Sequence, residues 1–333
     1  MSALPRTMKI VDVPTPGGPE ALVLAERPVP TPGDSEVLIK VAAAGLNRAD
    51  LLQRRGYYPS PPGAPPYPGL EVAGTVAACG AAVTEFKPGD AVCALLQGGG
   101  YAEYCTVDAA QVLPIPDKLD MIQAASLPEA CFTVWSNVCE FGRLRPGETL
   151  MVHGGSSGIG VAAIQIAAAL GNPVFATAGS EEKCRFCQQL GARRSINYKS
   201  EDFVRVVAEA TGGRGVDVVL DMVGGSYVAR NLQILATEGR LVIIATQGGL
   251  KGEIDVLRVM QQRLTVTGST LRPRSASFKR EIKEKVLQHV WPLIGRKAVR
   301  PVVDKVFPLE RAADAHAYME SGAHKGKIIL SVP

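Results

Sequence analysis

From Thr149 onward the chain keeps a rhythm that few architectures can satisfy: a short apolar run, a turn, a longer helical stretch, then another apolar run. Apolar runs without polar alternation are buried on both faces, and a parallel sheet covered by crossover helices provides that burial. Residues 149–153 read as the first strand, and 159–170 as an apolar helix stopped by Gly171. Strand 173–177, helix 181–190 and strand 195–197 follow, then helix 201–210 and strand 216–221. Helix 227–236, strand 240–245, helix 254–261 and strand 264–269 complete the series. Six parallel strands with helical connections predict a doubly wound α/β sheet.

The residues before this series read differently. Short β-rich runs at 36–42, 71–78 and 91–95 are separated by proline and glycine, the pattern of a barrel-like all-β unit. Residues 59–66 hold too much proline for a helix or a central strand and are expected to form a loop. Beyond Val302 the alternation breaks, and the last strand, 327–331, is expected to return to the β-rich unit. The expected domains are therefore 1–129 with 299–333, β-rich, and 130–298, doubly wound.

Between the first parallel strand and its helix stands His153-Gly-Gly-Ser-Ser-Gly-Ile-Gly160. Gly155, Gly158 and Gly160, with Ser156, Ser157 and Ile159 between them, let the backbone turn sharply and approach a pyrophosphate. The helix N-terminus then offers free N–H groups and partial positive charge. An NAD-binding chain of this kind carries Asp or Glu at the end of the second strand, about 20 residues further on. Here the strand runs into Thr177-Ala-Gly-Ser-Glu-Glu-Lys183. Gly179 opens space, and Ser180 and Lys183 can bind a 2′-phosphate, which favours NADPH. His153 itself ends a buried strand and reads as structural rather than as a base.

Bulk composition excludes other classes. The chain of 333 residues has 36 basic and 32 acidic side chains, a balance of +4, and no Lys/Arg run that would make a nucleic-acid-binding face. No stretch of about 18 apolar residues is present to span a membrane. Seven scattered cysteines suggest a reducing compartment, and with no signal-peptide core in residues 1–10 the expected location is cytoplasmic. Cys184 and Cys187 form a lone C-x-x-C in mid-helix, read as packing. His289, His316 and His324 lack ligand spacing in what read as polar helical or turn contexts, and none is assigned a role.

Several short stretches, in order and spacing, carry a family resemblance: Gly17 to Glu20, Leu46 to Asp50, Gly69-Leu-Glu71 with Gly74, and Lys87-Pro-Gly-Asp90. The glycine turn, Asn197-Tyr198, Asp221 to Gly225 and Gly326-Lys-Ile328 complete the set. Together they resemble the medium-chain dehydrogenase/reductase superfamily, in its zinc-free NADPH:quinone oxidoreductase branch, over nearly the whole length. The resemblance implies a GroES-like barrel domain beside a Rossmann domain, and hydride transfer from NADPH to a quinone. Zinc alcohol dehydrogenases of this superfamily have Cys where this chain has Asn47, and Gly-His-Glu where it has Gly69-Leu-Glu71. Two of the three protein ligands a catalytic zinc needs are thereby replaced, so no metal is expected. Without a Lewis acid, an already electron-poor acceptor, a quinone or an activated alkene, suits the site.

The resemblance places Asn47 and Tyr58 at the nicotinamide end as hydrogen-bond donors. It adds cofactor contacts at Thr133, Tyr198 (near the adenine), Met222, Ala245, Thr246, Gln247, Gly248, Ser269, Thr270 and Leu271. It also implies a homodimer, with residues 264–269 at a sheet edge available to pair with their twin. Two alternatives stay open: an enoyl or alkenal reductase with the same fold and cofactor, its acceptor lined by the Tyr57–Tyr67 loop, and a dinucleotide-binding protein with little turnover.

Overall fold

Residues 4–333 are described by the computed structural model, in which the chain divides into two units. The first runs up to Phe132 and includes Arg272–Trp291 and Pro301–Pro333; the second is Thr133–Leu271 with Pro292–Arg300.

In the first unit β1 (Thr7–Asp12) and β2 (Val23–Pro28) pair as an antiparallel ribbon. The main sheet is built from β3 (Glu36–Gly45), β4 (Glu71–Cys79), β5 (Ala91–Leu95), β6 (Tyr104–Asp108) and β7 (Val112–Pro114). Its centre is β3, ten residues long and interrupted by irregularities against β4. One stretch of β3, Glu36–Lys40, pairs with β6.

The second unit holds β8 (Leu150–Val152), β9 (Val174–Ala178), β10 (Arg194–Asn197), β11 (Val216–Asp221), β12 (Leu235–Ile243) and β13 (Thr265–Gly268). All its ladders are parallel, in the order β10-β9-β8-β11-β12-β13. This is the doubly wound Rossmann arrangement, with strand order reversing between β8 and β11. Strand residues Met151, Phe175, Ile196, Val219 and Leu241 pack with Phe203, Val207 and Leu232 from the covering helices.

The chain then completes the first sheet with β14 (Val303–Pro308) and β15 (Lys327–Ser331). β15 lies between β14 and β3, pairing antiparallel with Ala43–Gly45, so the tail does return as its broken rhythm implied. The core of this unit gathers Val37, Ile39, Val41, Val72, Val92 and Val112 with Ile328 and Leu330 from the far end of the chain.

Two features depart from the sequence expectation. Helix Ala276–His289 follows the last parallel strand, yet it belongs to the first unit. Its buried face carries Ile282 and Val286 alongside Lys279 and Lys283, and Lys283 Nζ reaches Ala109 O at 3.2 Å. Periodicity shows which face of a helix is buried, not which sheet buries it. The second departure is a π-helical turn over Trp135–Phe141, which no local pattern announced. Among the described residues no helix is long and apolar enough to cross a membrane.

Candidate active site

The glycine turn folds as its spacing implied. Helix Gly158–Ala169 starts with Ser157 as N-cap, whose Oγ accepts from Gly160 N at 3.0 Å and contacts Met222 Sδ at 3.6 Å. The first-turn N–H groups of Gly158 and Ile159 have no intrahelical partner, as at any helix start. A Cβ on Gly160 would lie 2.3 Å from Gly154 O and 2.7 Å from Gly155 C, so only glycine permits this turn. Ser156 is buried within it.

The other cofactor candidates cluster by position in the sheet. Gly179 and Ser180 follow β9, Tyr198 follows β10, Met222 follows β11, Ala245 to Gly248 follow β12, and Ser269 to Leu271 follow β13. All stand at the carboxyl ends of parallel strands, the edge where ligands bind in such sheets. Gln247 N and Gly248 N donate to Met222 O (3.4 Å) and Val223 O (2.7 Å), joining the loops after β11 and β12. Thr133 and Ser269 meet at Asn137 in the π-helical turn: Asn137 Nδ2 donates to Thr133 O at 2.9 Å, and Ser269 Oγ donates to Asn137 Oδ1 at 2.7 Å.

At the strand ends Tyr198 leans over Gly179. A Cβ on Gly179 would come within 2.7 Å of the Tyr198 hydroxyl, so the glycine makes room for that ring. Ser180 caps helix Glu181–Gln189 by accepting from Lys183 N at 3.2 Å, which places Gly179, Ser180, Lys183 and Tyr198 together. Glu181 is drawn to Asn197 Nδ2 at 2.8 Å.

Behind the turn runs a buried polar chain. Asp221 accepts from Val223 N (2.7 Å), Gly224 N (3.1 Å) and Asn231 Nδ2 (3.1 Å). With its amide nitrogen on a carboxylate, Asn231 turns Oδ1 toward His153 Nε2 at 2.7 Å, so that nitrogen carries the proton. His153 Nδ1 then accepts from Thr177 Oγ1 (3.0 Å), which itself accepts from Gly154 N (3.3 Å). Burial pushes the His153 pKa below the ordinary value. Both ring nitrogens are occupied, and His153 supports the turn as a neutral imidazole, the structural part expected of it. The C-x-x-C sulfurs are buried packing, and a Cβ on Gly155 would touch Cys187 Sγ.

In the first unit, Asn47 caps helix Arg48–Arg54 in a reciprocal capping box with Asp50. Its amide is nearly saturated. Oδ1 accepts from Lys327 Nζ at 2.7 Å, and Nδ2 donates to Glu71 Oε1 at 2.9 Å, leaving only a 3.5 Å contact to Gly45 O. Lys327 Nζ stands 2.5 Å from Glu71 Oε1 and 3.0 Å from Leu46 O, while Glu71 Oε2 accepts from Glu129 N at 2.9 Å. This cluster is buried, with Glu71 at 0% exposure and Lys327 at 6%. Lys327 was visible in the sequence only as part of Gly326-Lys-Ile328; its role as the cation between Asn47 and Glu71 was not.

Asp50 lies behind Asn47, fully buried, accepting from Asn47 N at 2.8 Å and Gly69 N at 3.0 Å. Burial raises its pKa to about 6. The Tyr101 hydroxyl meets His316 Nε2 at 3.1 Å, and Arg54 Nη1 faces His316 Nδ1 at 3.4 Å. His316 does lie in a helix, yet its surroundings are not the polar context its sequence suggested: it is buried, with its pKa lowered to about 3 by burial and by Arg54. Tyr57 is 78% exposed, whereas Tyr58 is half-buried with the Arg272 guanidinium over its ring, 5.2 Å from the centroid.

Known proteins share this organisation. Residues 33–117 match the alcohol dehydrogenase GroES-like domain and residues 190–330 match the zinc-binding dehydrogenase family. The chain is 35% identical to the quinone oxidoreductase of Rattus norvegicus over 330 residues, 98% of each chain. It is a member of the medium-chain dehydrogenase/reductase superfamily.

Solved structures of this superfamily superpose over nearly the whole chain. A quinone oxidoreductase of Escherichia coli complexed with NADPH gives a TM-score of 0.85 at 29% identity, covering 98% of this chain and 99% of that one. The CurK enoyl reductase gives 0.86 at 28% identity, covering 99% and 100%. An NAD-dependent alcohol dehydrogenase gives 0.86 at 34% identity, covering 98% and 100%. The chain is thus an oxidoreductase of this superfamily, and its second unit fits a nicotinamide dinucleotide. A turn that excludes even a methyl group, two unpartnered helix N–H groups and a run of candidate contacts along one sheet edge suit that ligand.

Proposed function

We propose that this chain passes hydride from NADPH to a quinone without a catalytic metal. The observation that carries the metal-free part is the Lys327 ammonium seated on Glu71 and Asn47. Leu70 offers no donor atom, and both oxygens of Glu71 and the oxygen of Asn47 are already engaged. These residues do not fit a zinc ion, whose three protein ligands would need free lone pairs.

NADPH, when bound, supplies the hydride. Gly155, Ser156, Ser157, Gly158, Ile159 and Gly160 would hold its pyrophosphate, and Gly179, Ser180, Lys183 and Tyr198 its 2′-phosphate and adenine end. The absence of an acid at the end of β9 supports NADPH over NADH. Thr133, Met222, Ala245, Thr246, Gln247, Gly248, Ser269, Thr270 and Leu271 would line the remainder. On the acceptor, Asn47 has one amide hydrogen held only by the 3.5 Å contact to Gly45 O, and Tyr58 has a phenol hydroxyl. Either can donate to the oxyanion that forms as the carbonyl accepts hydride.

Steady-state assays with NADPH and NADH against ortho-quinones, para-quinones and conjugated enals test this reading. Quinone turnover with NADPH, unaffected by chelators, is the expected result. Turnover of enals alone would favour the enoyl-reductase reading, which the CurK likeness supports. NADPH binding with no consumption across the panel would favour a dinucleotide-binding protein.

The functional unit is proposed to be a homodimer. Leu250, Ile254, Val256, Leu257 and Met260 are exposed in the segment leading into β13, the outermost strand of the parallel sheet, and an open edge with apolar residues nearby in the chain calls for a cover. Seven free cysteines suit a cytoplasmic location.

A further inference from the structure

Arg272 is the first residue of the segment that re-enters the first unit, bonded directly to Leu271, the last residue assigned to the cofactor. It is buried, 5% exposed, and every guanidinium hydrogen meets a neutral acceptor. Nε donates to Gln97 O at 2.7 Å; Nη1 to Tyr58 O at 3.3 Å and Pro59 O at 3.4 Å; Nη2 to Gln53 Oε1 at 2.9 Å and Ser60 Oγ at 3.0 Å. The loop beneath it is tied further: Gln53 Nε2 donates to Pro66 O at 2.7 Å and Ser60 Oγ to Pro65 O at 2.8 Å.

Among the described residues no carboxylate lies within ion-pair distance of Arg272. A buried guanidinium without an anion is costly, and stability alone does not call for one. What this side chain offers is a rigid planar fork, able to hold several backbone and side-chain oxygens at once in fixed directions. Those oxygens belong to the loop that carries Tyr58, and the ring of Tyr58 packs against the same fork.

We propose that Arg272 is a positioning residue that fixes the Tyr58–Ser60 stretch of the acceptor loop and ties its order to occupancy of the neighbouring cofactor segment Ser269–Leu271. This deepens the function proposed above and rests on its placement of cofactor and acceptor. A cofactor that immobilises Leu271 immobilises the backbone of Arg272 through one peptide bond. The loop oxygens held by the fork then lose freedom in turn.

The test is hydrogen exchange on the full chain with and without saturating NADPH, together with NADPH affinity by fluorescence titration. In the parent, NADPH should slow exchange of the Tyr58, Ser60, Gly63 and Ala64 amides by about tenfold or more. In Arg272→Lys, which keeps the charge and loses the fork, that protection should vanish while NADPH affinity changes by less than about twofold. The acceptor KM should rise more than kcat falls. Ser60→Ala, which removes one of the fork's bonds together with the Ser60 Oγ bonds to Gln53 Nε2 and Pro65 O, should show the same loss in smaller degree. Loop protection that persists in both variants, or that falls only in step with NADPH affinity, overturns the proposal. The exchange measurement needs no turnover: if only enals are reduced, the quinone assignment falls and the Arg272 result stands. If NADPH does not bind, both fall.

Discussion

The two units bury opposite kinds of chemistry. In the second, the candidate site is made of backbone: glycines that admit no side chain, strand ends, and a helix start, backed by one polar chain that runs from the Asp221 carboxylate through neutral side chains to Gly154. In the first, Asp50, Arg54, Glu71, Arg272, Lys279, Lys283 and Lys327 are all buried. A site for a large, constant ligand can be written in main-chain geometry, whereas a site for a small acceptor has to be written in side-chain charge. The two should fail differently when perturbed.

The largest expected effect is in the first unit. Lys327→Met leaves Glu71 charged and buried with only neutral donors, and should cost about 3 kcal/mol or more in urea unfolding. The double variant Lys327→Met/Glu71→Gln should recover most of that loss; no recovery would show that packing of the lysine stem, not charge, holds the cluster.

A somewhat smaller effect is written in pH. Asp50, raised to about 6 in the fold, binds more protons folded than unfolded between about pH 4 and 6, so it makes stability fall as pH rises through that window. His316, lowered to about 3, does the opposite across much of the same range. Asp50→Asn should therefore steepen the rise of stability with pH between about 4 and 6, by about 2 to 3 kcal/mol over the window. Chemical denaturation at several pH values reads it, and an unchanged slope would remove Asp50 as the titrating group.

In the second unit a single methyl group should suffice. Gly160→Ala forces a Cβ against rigid backbone, with about 1 to 3 kcal/mol of strain. NADPH affinity should fall at least in proportion, and an alanine variant that binds normally would contradict the close-packed turn. The smallest effect is Lys183→Glu, expected to weaken NADPH by about tenfold, roughly 1.4 kcal/mol, with little change for NADH. Equal weakening of both would refute the 2′-phosphate assignment and blur the contrast between the units.

That contrast also explains what could be read in advance. The glycine turn, its helix and the strand ends are local, and local patterns have periods that a sequence displays. Even the return of β15 was visible as a broken rhythm. The first unit's site is joined by contacts such as Lys327 to Asn47, 280 residues apart, and Arg272 to Gln53, 219 residues apart. No spacing rule records such pairs. Asn47 and Tyr58 could be named from resemblance, yet not the cations that orient them, and His316 looked polar because its partners, Tyr101 and Arg54, lie far away in the chain. The membership of helix Ala276–His289 was hidden for the same reason.

The position of β15 bears on how the chain comes into being. Most of the second unit is continuous, from Thr133 to Leu271, and apart from the β8–β11 pair its sheet neighbours are consecutive along the chain. The first unit is not: β3 waits for a strand made almost three hundred residues later, and Asn47 and Glu71 wait for the lysine at its head. During synthesis the dinucleotide-binding half can be in place while the other still lacks its central seam. On the function proposed above, a nascent chain would complete its candidate cofactor contacts first, and turnover would await the docking of the last strand.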